Sequence, residues 1–470
     1  MIVVKFGGTS LAGAERMRAA ARIVAAHRRD QSVVCVVSAM AGVTDALITT
    51  IEHALSGDTA WQATMAEISM RHQTTLDELL TTTGTIPTII TRFATATAAL
   101  KADLQRIVVT KFSTEDARAH AIAAFSGWGE RFAVLLFAQA LAVEGVAAAP
   151  FEGEPVIMFQ RQSLSRSASM DTQSLQRADL AVRSLAPSVA ATRELLSFQL
   201  DDSRYAEAVP VLPGYLGRTR GGVVTTLGRN GSDYSAAVIG AALHADAVYL
   251  YSTVAGVHRA DPRFVPEADV LPALTYTDAA EAAALGTRIL HPATLRPLAA
   301  AGIPLRLRNT LAPAEPGTDV GPARLLPSTD LERSDWVVTA HALPSDRQRH
   351  AAHSDEETGL VEVTGLFFRH AEWKTREDDH LTEPNEEFPV TGGENTTGRN
   401  DGPVSGALAL LMAPPLPVSL ALTARRITVA VPAGETAATQ RRLYSALSHV
   451  DAHACCHHAS VAATERRRTS

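Results

Sequence analysis

Thr225-Thr226-Leu227-Gly228-Arg229-Asn230-Gly231-Ser232-Asp233-Tyr234-Ser235-Ala236 is the stretch on which the fold of this chain turns. Before it runs Val209-Pro210-Val211-Leu212-Pro213-Gly214-Tyr215, an apolar run expected to be a buried strand that ends at a turn. After it runs Ala236-Ala237-Val238-Ile239-Gly240-Ala241-Ala242-Leu243, an Ala-rich segment of helical character. A loop with two glycines is therefore expected between a strand and a helix start. Gly228 and Gly231 let the backbone approach a ligand closely and take up positive φ. Ser232 and Asp233 suit the helix N-cap, and the first free N–H groups of that helix would face an anion such as phosphate. Arg229 adds a planar fork that fits a carboxylate or a phosphate. An ordinary glycine turn that caps a helix would look the same, so this loop alone leaves both readings open.

A second glycine loop lies at the other end of the chain, in Met1-Ile2-Val3-Val4-Lys5-Phe6-Gly7-Gly8-Thr9-Ser10. Ile2-Val3-Val4 is a β-branched strand, Lys5 stands at its end, and Thr9-Ser10 are expected to cap the helix that follows. The lysine precedes the glycines, so this is not a Walker A loop. The mechanics are related: a cationic head beside exposed N–H groups. The chain has only four lysines, Lys5, Lys101, Lys111 and Lys374, among 43 Lys and Arg residues. Against that arginine background, a lysine at a buried strand end suggests a need for a compact point charge. The competing reading is a solvated lysine at a strand end.

Four segments then form an ordered series: Lys5-Phe6-Gly7-Gly8-Thr9-Ser10, Ser38-Ala39-Met40-Ala41-Gly42-Val43-Thr44-Asp45, Gly129-Glu130-Arg131 and Thr226-Leu227-Gly228-Arg229-Asn230-Gly231-Ser232-Asp233. The series resembles the motifs of aspartokinases, members of the amino acid kinase family. It continues through Gly256-Val257-His258-Arg259-Ala260-Asp261-Pro262-Arg263 and Leu290-His291-Pro292-Ala293-Thr294, and ends near Arg308-Asn309-Thr310 and Pro316-Gly317-Thr318. The likeness covers roughly two thirds of the chain, and its order is more specific than any single loop.

The resemblance implies an α/β fold, with a three-layer α/β/α domain over residues 1–320 and a mainly parallel central sheet. A helical insertion falls at about 46–145. It also implies ATP and Mg²⁺, L-aspartate or a similar acidic amino acid as substrate, and a homo-oligomer. A carboxylate acceptor is already ionised at pH 7, so phosphoryl transfer to it needs positioning and charge neutralisation rather than a base. Lys5 is the candidate for that charge, with Gly7, Gly8, Gly228 and Gly231 as backbone donors. By resemblance, Arg229 binds a substrate carboxylate, Glu130 the α-amino group, and Ser38 and Thr44 hydrogen-bond nearby. Glu130 by itself also reads as a carboxylate favoured by the helix dipole. Asp233 is expected to orient Lys5 or a metal-bound water. The nucleotide side is implied at Ser10, Ser232, Ser252, Thr253, His258, Arg263 and Arg288. Three positions depart from the family pattern: Asn230 for glycine, Thr253 for aspartate and Arg288 for lysine.

Composition bounds the rest. The 470 residues suggest two or three domains, and 46% apolar residues suffice for a large core. A net charge of −7 and a pI of about 6.2 argue against a nucleic-acid partner. Met1 leads straight into a strand, so no secretory leader is expected. No apolar run reaches the roughly 18 residues that span a bilayer. Three cysteines, Cys35 and the pair Cys455-Cys456, make no disulfide framework, and a cytoplasmic setting is expected. Cys455-Cys456-His457-His458 offers metal ligands, but adjacent ligands suit one tetrahedral ion poorly, and the cluster reads as incidental.

Residues 330–470 differ from the kinase part. Val361-Glu362-Val363 is a candidate strand. The stretch 372–406 is polar, acidic and turn-rich, and is expected to be a flexible loop. Pro417-Val418-Ser419-Leu420-Ala421-Leu422 and Ile427-Thr428-Val429-Ala430-Val431 read as paired strands, 436–447 as a helix and 459–462 as a last strand. This order resembles the end of an ACT domain, reduced because no glycine-rich effector turn precedes it. Three functions remain in play: an aspartate kinase, a related kinase for another acidic amino acid, and a non-catalytic effector-binding subunit.

Overall fold

A computed structural model describes residues 1–83, 87–110, 112, 114–161, 185–201, 203–228, 230–284, 291–322, 336–342, 358–365, 388–389, 419–423, 426–432, 438–442 and 444–445. The chain divides into two compact units. Met1–Ala255 with His291–Pro322 form the first, and Gly256–Leu290 with Ala323–Ser470 the second. The segment 256–290, read from sequence as part of 1–320, thus groups with the C-terminal part.

The first unit contributes seven neighbouring strands of a sheet, in the order Thr318–Gly321, Leu305–Asn309, β9 (Ala247–Ser252), β1 (Ile2–Phe6), β2 (Val33–Val37), β6 (Val209–Pro213) and β3 (Ala148–Pro150). All neighbours are parallel except Thr318–Gly321, which pairs antiparallel with Leu305–Asn309. β1 and β2 are apolar on both faces because both faces are covered, and every residue of each is buried. On one face Ile2, Val4 and Phe6 join Val33, Cys35 and Val37 in the main core, under α1 (Ala14–Arg28) and α6 (Trp128–Val143). Period-two alternation turns Val3 and Lys5 to the opposite face, where the helix Gly231–Ala242 packs on β1.

The helical insertion is α2 (Val43–Ser56), α3 (Trp61–Thr83), α4 (Pro87–Val109), α5 (Glu115–Ser126) and α6, close to the expected 46–145. One expectation about length is amended here. Ala117–Val143, α5 and α6 together, is long and apolar enough by composition to cross a bilayer, but 72% of its most apolar window is buried inside the protein, as in a core helix. Burial also pushes the Cys35 thiol well above its usual range, which keeps it inert.

A smaller sheet, ordered β5 (Leu185–Pro187), β4 (Ile157–Arg161), β7 (Leu216–Thr219), β8 (Val224–Thr226), also belongs to this unit. It corrects the sequence reading. The glycine loop does not leave the buried strand β6 directly, because a β7–β8 hairpin intervenes and the loop follows β8.

In the second unit five described strands form an antiparallel sheet ordered Trp336–Ala342, Thr358–Gly365, Arg426–Pro432, Ser419–Thr423, Phe388–Pro389. The strands expected at 361–363 and 427–431 are present with longer bounds, and the one expected at 417–422 is present as Ser419–Thr423. Trp336–Ala342 had no clear signal in the sequence. Phe388–Pro389 sits inside the stretch read as loop and pairs with Leu422 and Ala421, so that expectation is wrong at these two residues. Residues 438–442 and 444–445 are helical, and the Tyr444 hydroxyl donates to the Glu267 carbonyl and accepts from the Asp269 N–H. The remainder of 372–406, the strand expected at 459–462 and the Cys455-Cys456-His457-His458 cluster lie outside the described residues.

Candidate active site

The chain passes from β1 to β2 on one side and later returns to β9 on the other, so β1 marks a topological switch point. Ligands of open α/β sheets bind outside the carboxyl ends of strands at such a point. The loops after β1 and β2 interlock there. The Ala41 N–H donates to the Gly8 carbonyl at 3.1 Å, and a Cβ on Gly8 would lie 2.7 Å from the Ala39 carbonyl oxygen, so only glycine fits. Gly8–Leu11 form a turn of 3-10 helix, and the N-cap of α1 is Gly13. Thr9 and Ser10 are therefore not the caps expected of them. The Ser10 hydroxyl is fully buried against that of Thr310, at 2.7 Å.

Lys5 comes off the end of β1 only 8% exposed. Its Nζ meets Asp233 Oδ1 at 2.5 Å, and a Cβ on Gly7 would lie 3.5 Å from it. The partner arrives from the facing helix. Ser232 and Asp233 were expected to cap that helix, but the N-cap is Asn230, and Asp233 stands in the first turn. Its N–H donates to the Asn230 carbonyl. A carboxylate here is favoured by the helix dipole, and it faces the lysine across the layer. Asn230 reaches φ 56°, the left-handed region, after Gly228 at φ 75°. Asparagine is among the few residues that enter this region readily, so Asn230 keeps the backbone path a glycine would supply.

Glu130 is a further charged group of the site among the described residues. The first turn of α6 carries it, and it is 1% exposed. Its Oε1 accepts the Ala39 N–H at 3.1 Å, and its Oε2 is buried without a partner. Burial pushes its carboxyl up to about 8, opposed by the Ala39 hydrogen bond and by the Lys5 charge. Gly129 makes the close approach possible, since a Cβ there would sit 2.6 Å from Ala39 Cβ. Ser38 and Thr44 are half-buried in the same loop and the first turn of α2. Arg71, on α3, holds that loop by donating to the Ala41 carbonyl at 2.7 Å.

Tyr215 is a supporting residue that the sequence did not reveal. It has φ 66°. Its N–H donates to Ser235 Oγ, its carbonyl accepts the Leu227 N–H, and its phenol accepts from Ser126. It thus ties the strand end of β6 to the glycine loop. A non-glycine left-handed residue cannot be read from composition or period.

The nucleotide-side expectations scatter more widely. Ser232 is buried beneath Gly214. Ser252 and Thr253 close β9 in the first unit, where Ser252 Oγ makes a local turn with Val254. His258 and Arg263 belong to the second unit. There His258 Nδ1 is 3.1 Å from the Gly256 carbonyl, and the exposed Arg263 forks onto Asp261. Arg229 and Arg288 lie outside the described residues. No group of three metal-ligating side chains occurs among the described residues.

The chain is similar to known proteins in sequence and in fold. The sequence model of the Amino acid kinase family matches residues 1–309. Aspartokinase 1, chloroplastic, of Arabidopsis thaliana is 31% identical over 326 residues, 68% of this chain and 52% of that protein. The lysine-sensitive aspartokinase 3 of Escherichia coli K12 is 30% identical over 375 residues, 79% of this chain and 74% of that one. The plant relatives are thus matched over about half of their length or less. Among solved structures, aspartokinase III of E. coli in complex with aspartate and ADP superposes with a TM-score of 0.66 at 21% identity, covering 95% of this chain and 99% of that one. That likeness is one of fold.

Proposed function

Because the chain belongs to the amino acid kinase family and, within it, to the aspartokinases, we propose that it transfers the γ-phosphoryl group of ATP to the side-chain carboxylate of L-aspartate. The products are 4-phospho-L-aspartate and ADP. The observation that carries this reading is the buried Glu130, with one oxygen held by Ala39 and the other without a partner, in the same site as the Lys5–Asp233 pair. A buried carboxylate with a free oxygen calls for a cation, and the α-ammonium of an amino acid is the cation that such a substrate brings.

The acceptor carboxylate is ionised at neutral pH and attacks the γ-phosphorus directly. A carboxyl oxygen–phosphorus bond forms while the bond to the β-phosphate oxygen breaks, and its electron pair leaves on ADP. Lys5 supplies positive charge at the transferring group, and Asp233 fixes the ammonium in place from the helix. Mg²⁺, bound with the nucleotide, supplies further charge neutralisation. The N–H groups of the two glycine loops bind phosphate oxygens, and Arg229, next in chain to Gly228, takes a substrate carboxylate. Residues 330–470 are read as a reduced ACT-like region.

An ADP-release assay with L-aspartate, with L-glutamate and with neither tests the reading. Release that depends on L-aspartate, with a hydroxylamine-trapped acyl phosphate, is the expected result. Dependence on glutamate would move the function to a related amino acid kinase. Absence of amino-acid-dependent release would leave a non-catalytic subunit.

A further inference from the structure

One strained turn of the first unit touches both halves of the candidate site. Tyr215 has φ 66°, and the Leu216 N–H donates to the Gly214 carbonyl across it at 2.6 Å. A three-residue turn with positive φ at its centre is the rare form of the γ-turn. A bulky residue persists in that conformation only where its surroundings over-determine it, and such residues cluster at functional sites. On one side those surroundings are the glycine loop and the helix after it. The Tyr215 N–H donates to Ser235 Oγ at 2.9 Å, and Ser235 donates in turn to the Gly231 carbonyl at 3.0 Å. The Tyr215 carbonyl accepts the Leu227 N–H at 2.9 Å. The ring lies so close to Gly231 that a Cβ there would come within 2.9 Å of it. On the other side stands the joint between α5 and α6. The phenol oxygen lies 3.3 Å from Oγ of Ser126, a fully buried residue. Ser126 ends α5, Gly127 alone separates it from α6, and a Cβ on Gly127 would overlap the Leu216 side chain. Glu130 stands in the first turn of α6.

We propose that Tyr215 is a positioning residue that fixes the head of α6, and with it Glu130, against the glycine loop and Asp233. Under the phosphoryl transfer proposed above, on which this inference rests, Glu130 holds the amino acid, while the glycine loop, Lys5 and Asp233 hold the phosphoryl group. Transfer requires the two reacting atoms about 3–3.5 Å apart and aligned, and each is held by a different element. The backbone and ring of Tyr215 serve the loop and the helix Gly231–Ala242, and its phenol reaches Ser126. Removal of the phenol oxygen leaves each substrate its own contacts and loosens the distance between them. The effect therefore falls on the rate of transfer rather than on the binding of either substrate.

The test is steady-state kinetics of Tyr215→Phe, Ser126→Ala and the double variant, each in the full chain. ADP release is read per ADP-binding site, with the sites counted by calorimetric titration, so that a loss of folded protein does not enter the rates. Tyr215→Phe keeps the ring. Each single variant is expected to lower kcat about three- to tenfold, with KM for ATP and for L-aspartate within about twofold of the unaltered chain. The double variant is expected to fall no lower than the singles, because both remove the same link. An unchanged kcat per site in Tyr215→Phe overturns the proposal, as does a rise in either KM with kcat unchanged, or losses that multiply in the double variant. Ser126→Ala, a change in a different element, carries the test where Tyr215→Phe does not fold. An unaltered chain without aspartate-dependent ADP release overturns the proposed function and this inference with it. Aspartate-dependent release that the variants leave unchanged overturns this inference alone.

Discussion

Glu130 shows how burial sets chemistry at a single residue. Its carboxyl titrates near 8 rather than 4.5, chiefly because it is desolvated. The folded value is raised, so the stability contributed by the protonated form is complete below about 4.5 and is lost as pH rises through 8. A substrate ammonium requires the ionised form. Aspartate binding at pH 7 is therefore expected to expel a proton, seen as a buffer-dependent enthalpy in calorimetry. KM for aspartate should fall about tenfold per pH unit from roughly 6 to 7.5 and level off above 8. Glu130→Gln removes that dependence, raises KM for aspartate by about 10- to 100-fold, and gains stability relative to the parent above pH 8. Lys5 is the second residue on which the reading depends. Lys5→Ala is expected to lower kcat by about 10²- to 10³-fold, a loss of roughly 3–4 kcal/mol of transition-state stabilisation. Circular dichroism should show the fold intact. A kcat near that of the parent would remove Lys5 from the phosphoryl site.

At the scale of elements, the site depends on two loops and one helix end held at close range. The helix Gly231–Ala242 begins at a left-handed Asn230, which aims its first turn and Asp233 at β1. Asn230→Gly should leave stability within a few tenths of a kcal/mol, while Asn230→Ala should cost about 1 kcal/mol through left-handed strain. Denaturant midpoints of the two variants check the ordering. The loop contact after β1 and β2 is less forgiving. Gly8→Ala drives a methyl group to 2.7 Å from the Ala39 carbonyl, and Ala39 is the residue whose N–H holds Glu130. The expected result is a rise in KM for aspartate larger than the change in KM for ATP, measured by varying each substrate in turn.

At the scale of the whole molecule, control is the open property. The resemblance to ACT modules covers only the later strands and helix of 330–470, and no effector-binding turn precedes them in the sequence. A module lacking that turn cannot make the differential contacts by which a ligand shifts an equilibrium. Lysine and threonine are therefore expected not to inhibit at sub-millimolar concentration, as titration of each into the kinase assay would show. Much of the architecture was legible beforehand, because local chemistry carries it. The apolar, mostly β-branched runs at 2–4 and 33–37 read as strands, and alternation within β1 sets Lys5 apart from Ile2, Val4 and Phe6. The candidate residues Lys5, Gly8, Glu130 and Asp233 were likewise read from residue type and motif order. What the sequence could not determine is every contact made across a large separation in chain. Asp233 rather than solvent meets Lys5, Ala39 holds one oxygen of Glu130 and leaves the other free, and Tyr215 takes a left-handed turn. Each depends on which layers pack together and how closely. Such contacts are decided by the summed burial of many side chains, and no local pattern records that sum.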